Sequence, residues 1–503
     1  MSIIRSDHDQ PDADSASEST TRSPAPVQVV RPLVMRLHFY AGLFIAPFLI
    51  VAAISGGLYA IAPTAEQWVY RDVLHTDSSG PAAPLAEQVQ MAQSVVPDLQ
   101  VDAVRPAAAT GQTTRVLFAD PSLGPSERMT VFIDPVTATS KGTEVAYGSS
   151  GSLPMRTWIS QLHRNLHLGE PGRIYSELAA SWLWVIALGG LVLWVIRYRS
   201  VRRSKGSAPL LTIDRTSTGR NRTLNWHGAV GAWIVVGLVF LSATGLTWSR
   251  YAGENISDLR QSLSWTTPAM DSSLNPVSVG PAESGHHGHG GADHVAVAAD
   301  QQILTRNVDA VGSVLSTARA AGVTGAVEAT IPSDAETAMV VSQVRTPWQL
   351  ETNSVAIDPA TETIVDASEF SEWPLAAKLS SWGIALHMGL LFGLANQLVL
   401  LAVAVGLVSL CVRGYLMWWK RRPTRGRQGL VLARAPRRGA LRKIHPAIAI
   451  AVIVAAVLVG WFIPLLGISL LAFVLIDTAI GFYLRDRGRR TPPVSTSITT
   501  KGA

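Results

Sequence analysis

The sequence predicts a polytopic α-helical membrane protein of about six spans, internally duplicated, with two small α+β modules outside the membrane. Three observations predict this. Apolar runs of spanning length recur along the 503 residues, and a bilayer core needs about 20 such residues per helix. Charge is segregated: residues 1–36, 197–222, 413–443 and 485–503 hold 28 of the 42 Lys and Arg, while 63–178 and 250–380 hold 28 of the 36 Asp and Glu. Finally, the order of span, outer segment, His-Gly motif and span occurs twice, at about 32–200 and 221–420.

Residues 1–30 are polar and rich in Ser, Asp and Pro, so they read as a disordered cytoplasmic tail. They make a poor signal peptide, because the first apolar run begins near Leu37 and is too long for one. Residues 31–62 form the first span, with its apolar centre at 38–62. Residues 63–176 form the first outer module, 177–197 the second span, 198–226 a cytoplasmic loop and 227–249 the third span. Residues 250–382 form the second outer module, and 383–419 the fourth span (390–417) with an outer extension. Residues 420–445 are a cytoplasmic loop and 485–503 a cytoplasmic tail. Between these, 446–484 is almost uninterrupted apolar sequence, about two spans long. Pro464 cannot continue a helix cleanly, so a tight hairpin of spans 446–463 and 466–484 is expected. Each outer segment has a helical stretch (Ala86–Val96; Ala310–Ala321) followed by alternating, strand-like runs such as "RVLFAD" and "AMVVSQV".

The positive-inside rule puts both termini in the cytoplasm and both acidic segments outside. The basic excess behind the net charge of +6 is therefore topology and no nucleic-acid footprint. The single Cys411 excludes an intramolecular disulfide and a thiolate metal cluster. There is no Walker A motif and no G-x-G-x-x-G after a strand, so no nucleotide site is expected. Asp477 lies within the last span, where an acid serves either function or a helix contact.

The repeat rests on several matches. "VFIDPVTAT" answers "VAIDPATET", and "LHLG" at 166–169 answers "LHMG" at 386–389. His38, Gly42, Ser55 and Gly56 share their spacing with His227, Gly231, Thr244 and Gly245. Such duplication places sites between the halves. It sets His38 and His227 at one membrane face and His167 and His387 at the other, with His163 one turn before His167. His445 opens the hairpin on the cytoplasmic side. Histidines from neighbouring helices at both faces fit bis-imidazole ligation of b-type haem. Zinc would want three or four ligands at short range, and only Glu170 and Glu177 stand near as acids. No CxxCH occurs, which excludes covalent haem. Gly42 and Gly231 leave room for a macrocycle or, equally, serve helix packing, as do Ser55-Gly56 and Thr244-Gly245.

"RPLVMRLHFYAGLFIAPFLIVAAISGGLYAI", the paired "LHxG" motifs and the IDPxT modules resemble the PepSY-associated transmembrane family, over about 31–485. Members are often called iron-regulated membrane proteins, and some are inner-membrane ferric-siderophore reductases carrying two b haems. The resemblance implies a bacterial inner-membrane, haem-dependent oxidoreductase. Electrons would pass from a cytoplasmic flavoprotein or membrane quinol to a ferric siderophore or other metal chelate outside. The inner haem is then expected on His38 and His227, with His445 the next candidate. The outer haem is expected on His387 and His167, because only His167 is repeated. His163 is expected to act at the substrate, with a propionate contact or ligation in place of His167 as alternatives. The sequence departs from the family pattern in "HHGHGGADH". There His286, His287, His289 and His294 either capture Cu, Zn or Ni or decorate a hydrophilic loop. Two other readings compete: a non-redox binding or regulatory protein, and a metal transporter. A haem spectrum separates the first reading from these.

Overall fold

The computed structural model describes residues 26–206, 210–214, 216–274, 294–420 and 445–490. The first half runs α1 (Pro26–Val69), α2 (Arg71–Leu74), α3 (Leu85–Val95), β1 (Gln100–Arg105), β2 (Thr114–Ala119), β3 (Glu127–Ile133), β4 (Ser140–Tyr147), α4 (Pro154–Asn165) and α5 (Glu170–Lys205). The second runs α6 (Gly219–Leu246), α7 (Tyr251–Ser262), α8 (His294–Ala320), β5 (Val327–Thr330), β6 (Met339–Gln343), β7 (Ser354–Ile357), β8 (Ile364–Ser368), α9 (Leu375–His387) and α10 (Gly393–Trp419). The pair α11 (Pro446–Phe462) and α12 (Pro464–Arg490) follows.

Among the described residues, five helical segments are long and apolar enough to cross a membrane: Arg31–Val69, Glu170–Ser204, Gly219–Leu246, Gly393–Trp419 and Pro464–Tyr483. The sixth expected span, 446–463, corresponds to the shorter apolar helix α11 of 17 residues, or roughly 25 Å at 1.5 Å per residue, at the lower end of spanning length. Pro464 does break the apolar run, and the two arms meet closely. A Cβ on Gly460 would lie 2.9 Å from Gly467 Cα, so only glycine allows this approach.

Helix α1 packs on α5 and α10, and α6 packs on the same two helices. Their shared core includes Ala46, Leu49, Trp182, Leu238, Val403 and Leu407. The hairpin is pinned to this bundle by polar contacts. Trp182 Nε1 donates to Ser469 Oγ at 2.8 Å, and Asn255 Nδ2 donates to the Phe462 carbonyl at 3.0 Å. Asp477 forms an ion pair with Arg36 of α1. An acid placed in apolar surroundings needs such a partner.

Outside the bundle, the strands form one antiparallel eight-stranded sheet, ordered β4-β3-β2-β1-β5-β6-β7-β8. Two separate modules were expected; the seam between β1 and β5 fuses them. Ala103 faces Thr330 and Val104 faces Ala329 across it. Each half-sheet has an apolar face too small to bury itself, and pairing also removes two open edges. Helices α3 and α8 cover one face. A single core follows, with Val89, Phe118 and Val131 from one half and Val311, Met339 and Ile357 from the other. At the seam Glu328 of β5 forms ion pairs with Arg105 of β1 and Arg128 of β3. Burial pushes the Glu328 carboxyl up, but the two guanidiniums bring it below its ordinary value.

The IDPxT motif is a hairpin turn. Asp134 Oδ1 accepts from Val136 N at 2.9 Å, and its other oxygen accepts from the Thr76 and Ser78 hydroxyls at 2.5 Å. Asp358 makes the matching turn, accepting from Ala360 N at 2.9 Å. The left-handed residues Ala138 and Glu362 complete these two turns. The sheet is joined to the bundle at the end of α1. There Glu66 accepts from Leu153 N at 2.8 Å and pairs with Arg156 at 3.4 Å.

Candidate functional site: two histidine pairs

Histidines from the two halves meet at two levels of the bundle. His38 of α1 and His227 of α6 have ring centres 6.3 Å apart. His163 of α4 and His387 of α9 have ring centres 6.5 Å apart. The levels are set by α1 and α6. From His38 to Ser55, and from His227 to Thr244, is 17 residues, or roughly 25 Å of helix. Ser55 and Thr244 are the residues that meet the second pair.

All four imidazoles are oriented through Nδ1. That of His38 donates to the Ile186 carbonyl at 2.9 Å, and that of His227 to the Leu410 carbonyl at 3.2 Å. Ser55 gives its own hydroxyl proton to the Val51 carbonyl at 2.8 Å, so at 3.0 Å it accepts from His163 Nδ1. Thr244 likewise donates to the Phe240 carbonyl at 2.8 Å and accepts from His387 Nδ1 at 2.6 Å. A fixed Nδ1–H leaves the Nε2 lone pair of a neutral imidazole as the nitrogen available to a ligand. Ser55 and Thr244 therefore do more than pack helices.

Close approach depends on Gly56, one of the expected glycines, and on Gly190, rather than on Gly42 and Gly231. A Cβ on Gly190 would lie 2.9 Å from His38 Cε1, and one on Gly56 3.0 Å from His163 Cε1. Gly42 has no atom within 4 Å of its would-be Cβ, and Gly231 faces Leu410 at 3.8 Å. Trp248 is a further neighbour that the sequence reading missed, its ring edge-on to His387 at 5.2 Å.

Beside His387 the structure places His163 and not His167. Helix α4 ends at Asn165. His167 lies beyond it, exposed, with a left-handed φ of 55°. Its ring packs on Trp158 at 4.8 Å. His163 takes the place beside His387, though it was expected to act at the substrate. The repeat offset agrees with this placement. Ile186 and Leu410, which fix the first pair, are 224 positions apart, and so are His163 and His387. His167 breaks this offset. Its "LHLG" matched "LHMG" only because Leu-His occurs twice in this stretch, four residues apart, once within α4 and once beyond its end.

His445 stands apart from both pairs. It caps α11, its Nδ1 accepting from Ala447 N at 3.3 Å. The two outer acids are also committed to structure. Glu170 pairs with Arg250, and Glu177 accepts from Arg250 N, Tyr251 N and Ala252 N at 2.9, 3.1 and 2.9 Å at the head of α7. His286, His287 and His289 lie outside the described residues, and His294 is the first residue of α8. Among the described residues, no group of three or more His, Cys, Asp or Glu could hold a metal ion.

An apolar helical bundle with an extramembrane antiparallel sheet defines the class: a polytopic membrane protein. The family described as PepSY-associated TM region matches residues 35–421, and the chain belongs to it. No curated protein matches the sequence.

Proposed function

We propose that this protein is a di-haem b membrane oxidoreductase, built by duplication, that passes electrons across a bacterial inner membrane to a ferric chelate outside. The observation that carries the reading is the pair of bis-imidazole constellations with Nδ1 committed in all four rings. The spacing supports it. Two imidazoles sharing one metal ion, at metal–nitrogen distances of about 2.0–2.1 Å plus about 1.2 Å from nitrogen to ring centre, would have ring centres roughly 6–7 Å apart. The ring centres here are 6.3 and 6.5 Å apart. Two histidines per site, with no third ligand among the described residues, would suit a b-type haem better than zinc.

His38 and His227 would hold the inner haem, and His163 and His387 the outer one. Bound haem supplies one-electron redox chemistry. The chain orients each imidazole through its Nδ1 hydrogen bond, which fixes the tautomer that leaves Nε2 available, and surrounds both sites with the α1, α5, α6 and α10 core. Both termini would face the cytoplasm, as the segregated charge indicates. A flavoprotein or quinol would donate on that side, and a ferric siderophore would accept electrons beside Trp248 and His387. Anaerobic re-oxidation tests this. The dithionite-reduced protein should show a b-type spectrum that ferric chelates bleach to the oxidised form. A reduced spectrum unchanged by every chelate would reject the substrate class.

A further inference from the structure

A cleft on the sheet side of the bundle lies outside the histidine sites. It runs between the loop after β6 and helix α9. Its polar wall is Arg345, Thr346, Gln349 and Ser381, and its apolar wall includes Trp382 and Leu390. Arg345 Nη2 donates to Ser381 Oγ at 3.2 Å. Among the described residues, no carboxylate lies within ion-pair distance of it. Arg105, Arg128, Arg156 and Arg250 all face carboxylates. A half-buried guanidinium without a counter-charge is costly, and burial draws Arg345 below its ordinary pKa. The arrangement suits an anion that arrives from outside the chain.

The surroundings say which anion. Leu375 and Leu379 of α9 are 69% and 55% exposed and share a face with Trp382. That apolar stripe leads into the cleft. Leu390 and Leu391 line the cleft just before α10, the span, begins at Gly393. Trp348, also exposed, donates its backbone N–H to the Leu391 carbonyl at 2.7 Å and packs on Phe392 at 5.1 Å. Exposed leucines and a tryptophan at the mouth of a span are the composition of a membrane–water interface. A soluble anion would satisfy Arg345 but leave the leucine stripe in water. A phospholipid satisfies both, with its phosphate on the guanidinium and its acyl chains along α9. We propose that the Arg345 cleft is a phospholipid site, with Arg345 and Ser381 holding the headgroup phosphate.

The test is native mass spectrometry of delipidated full-length protein titrated with phosphatidylglycerol and, separately, with the phosphate-free lipid dioleoylglycerol. Wild type should bind one phosphatidylglycerol about tenfold more tightly than Arg345→Gln. The two proteins should bind dioleoylglycerol alike, and Arg345→Lys should recover part of the difference. Millimolar inorganic phosphate should leave the lipid in place; displacement would mean a free-phosphate site and overturn the proposal. Equal phosphatidylglycerol affinity in wild type and Arg345→Gln would also overturn it. Should Arg345→Gln fail to fold, wild type alone decides: equal affinity for the two lipids refutes phosphate recognition.

Discussion

Thr244→Val is the sharpest probe of how the outer imidazoles are held. Valine keeps the branched shape of threonine, favours one rotamer on a helix, and puts a methyl group in place of the hydroxyl. That hydroxyl accepts from His387 Nδ1 at 2.6 Å, within a part-buried contact. Its loss leaves an imidazole N–H without an acceptor and frees the ring to rotate. Removing such an orienting partner weakens metal affinity by about 10- to 100-fold, or about 1.4–2.8 kcal/mol at 1.4 kcal/mol per tenfold. The assay is haem transfer to excess apomyoglobin, followed at the Soret band. Wild type should lose haem slowly. Thr244→Val should lose about half its haem in a fast phase, while Thr244→Ser, which keeps the hydroxyl, behaves like wild type. Equal loss rates in all three proteins would refute the claim that this hydroxyl sets the ring.

The two adjacent histidines of "LHRNLHLG" should separate cleanly. His163→Ala should lack the outer haem, while His167→Ala, an exposed turn residue, should keep both; haem content per chain distinguishes them. Glu177→Gln should lower the thermal midpoint, because one carboxylate serves three backbone N–H groups at the head of α7; the expected cost is about 1–3 kcal/mol, read by denaturant titration in detergent. Asp134 supplies a pH dependence. Burial raises its carboxyl, but hydrogen bonds from Ser78 and Thr76 and from the turn amides bring it down to about 2. A depressed carboxylate stabilises the folded state above the unfolded pKa of about 4, and that contribution is lost as pH falls through the folded value. The stability gap between wild type and Asp134→Asn should therefore be widest above about pH 5 and close towards pH 2, as melting curves across that range would show.

Much of the architecture was legible because membrane solvation imposes it. Long apolar runs have few alternatives to helices, and Pro464 between two such runs has few alternatives to a hairpin break. The helices exceed the apolar runs, however. Helix α1 begins at Pro26 and α5 ends at Lys205, since backbone hydrogen bonding continues where hydropathy fades. The fusion of the modules was hidden, because the β1–β5 pairing joins residues over two hundred positions apart and no local pattern records it. Within the site, the pairing of His38 with His227 followed from equal depth on equivalent helices. The outer pairing did not, because a four-residue Leu-His spacing offers two registers and only tertiary contact selects between them. The Nδ1 acceptors were invisible for the same reason: Ile186 and Leu410 contribute backbone carbonyls, which carry no sequence signature.

The central claim is that each histidine pair holds one haem. Haem per chain, measured as the pyridine haemochrome on purified wild type, His38→Ala and His163→Ala, tests it most directly. The account predicts two b haems in wild type and one in each variant, with the remaining haem still low-spin. A colourless wild type, or two haems retained in both variants, would contradict it.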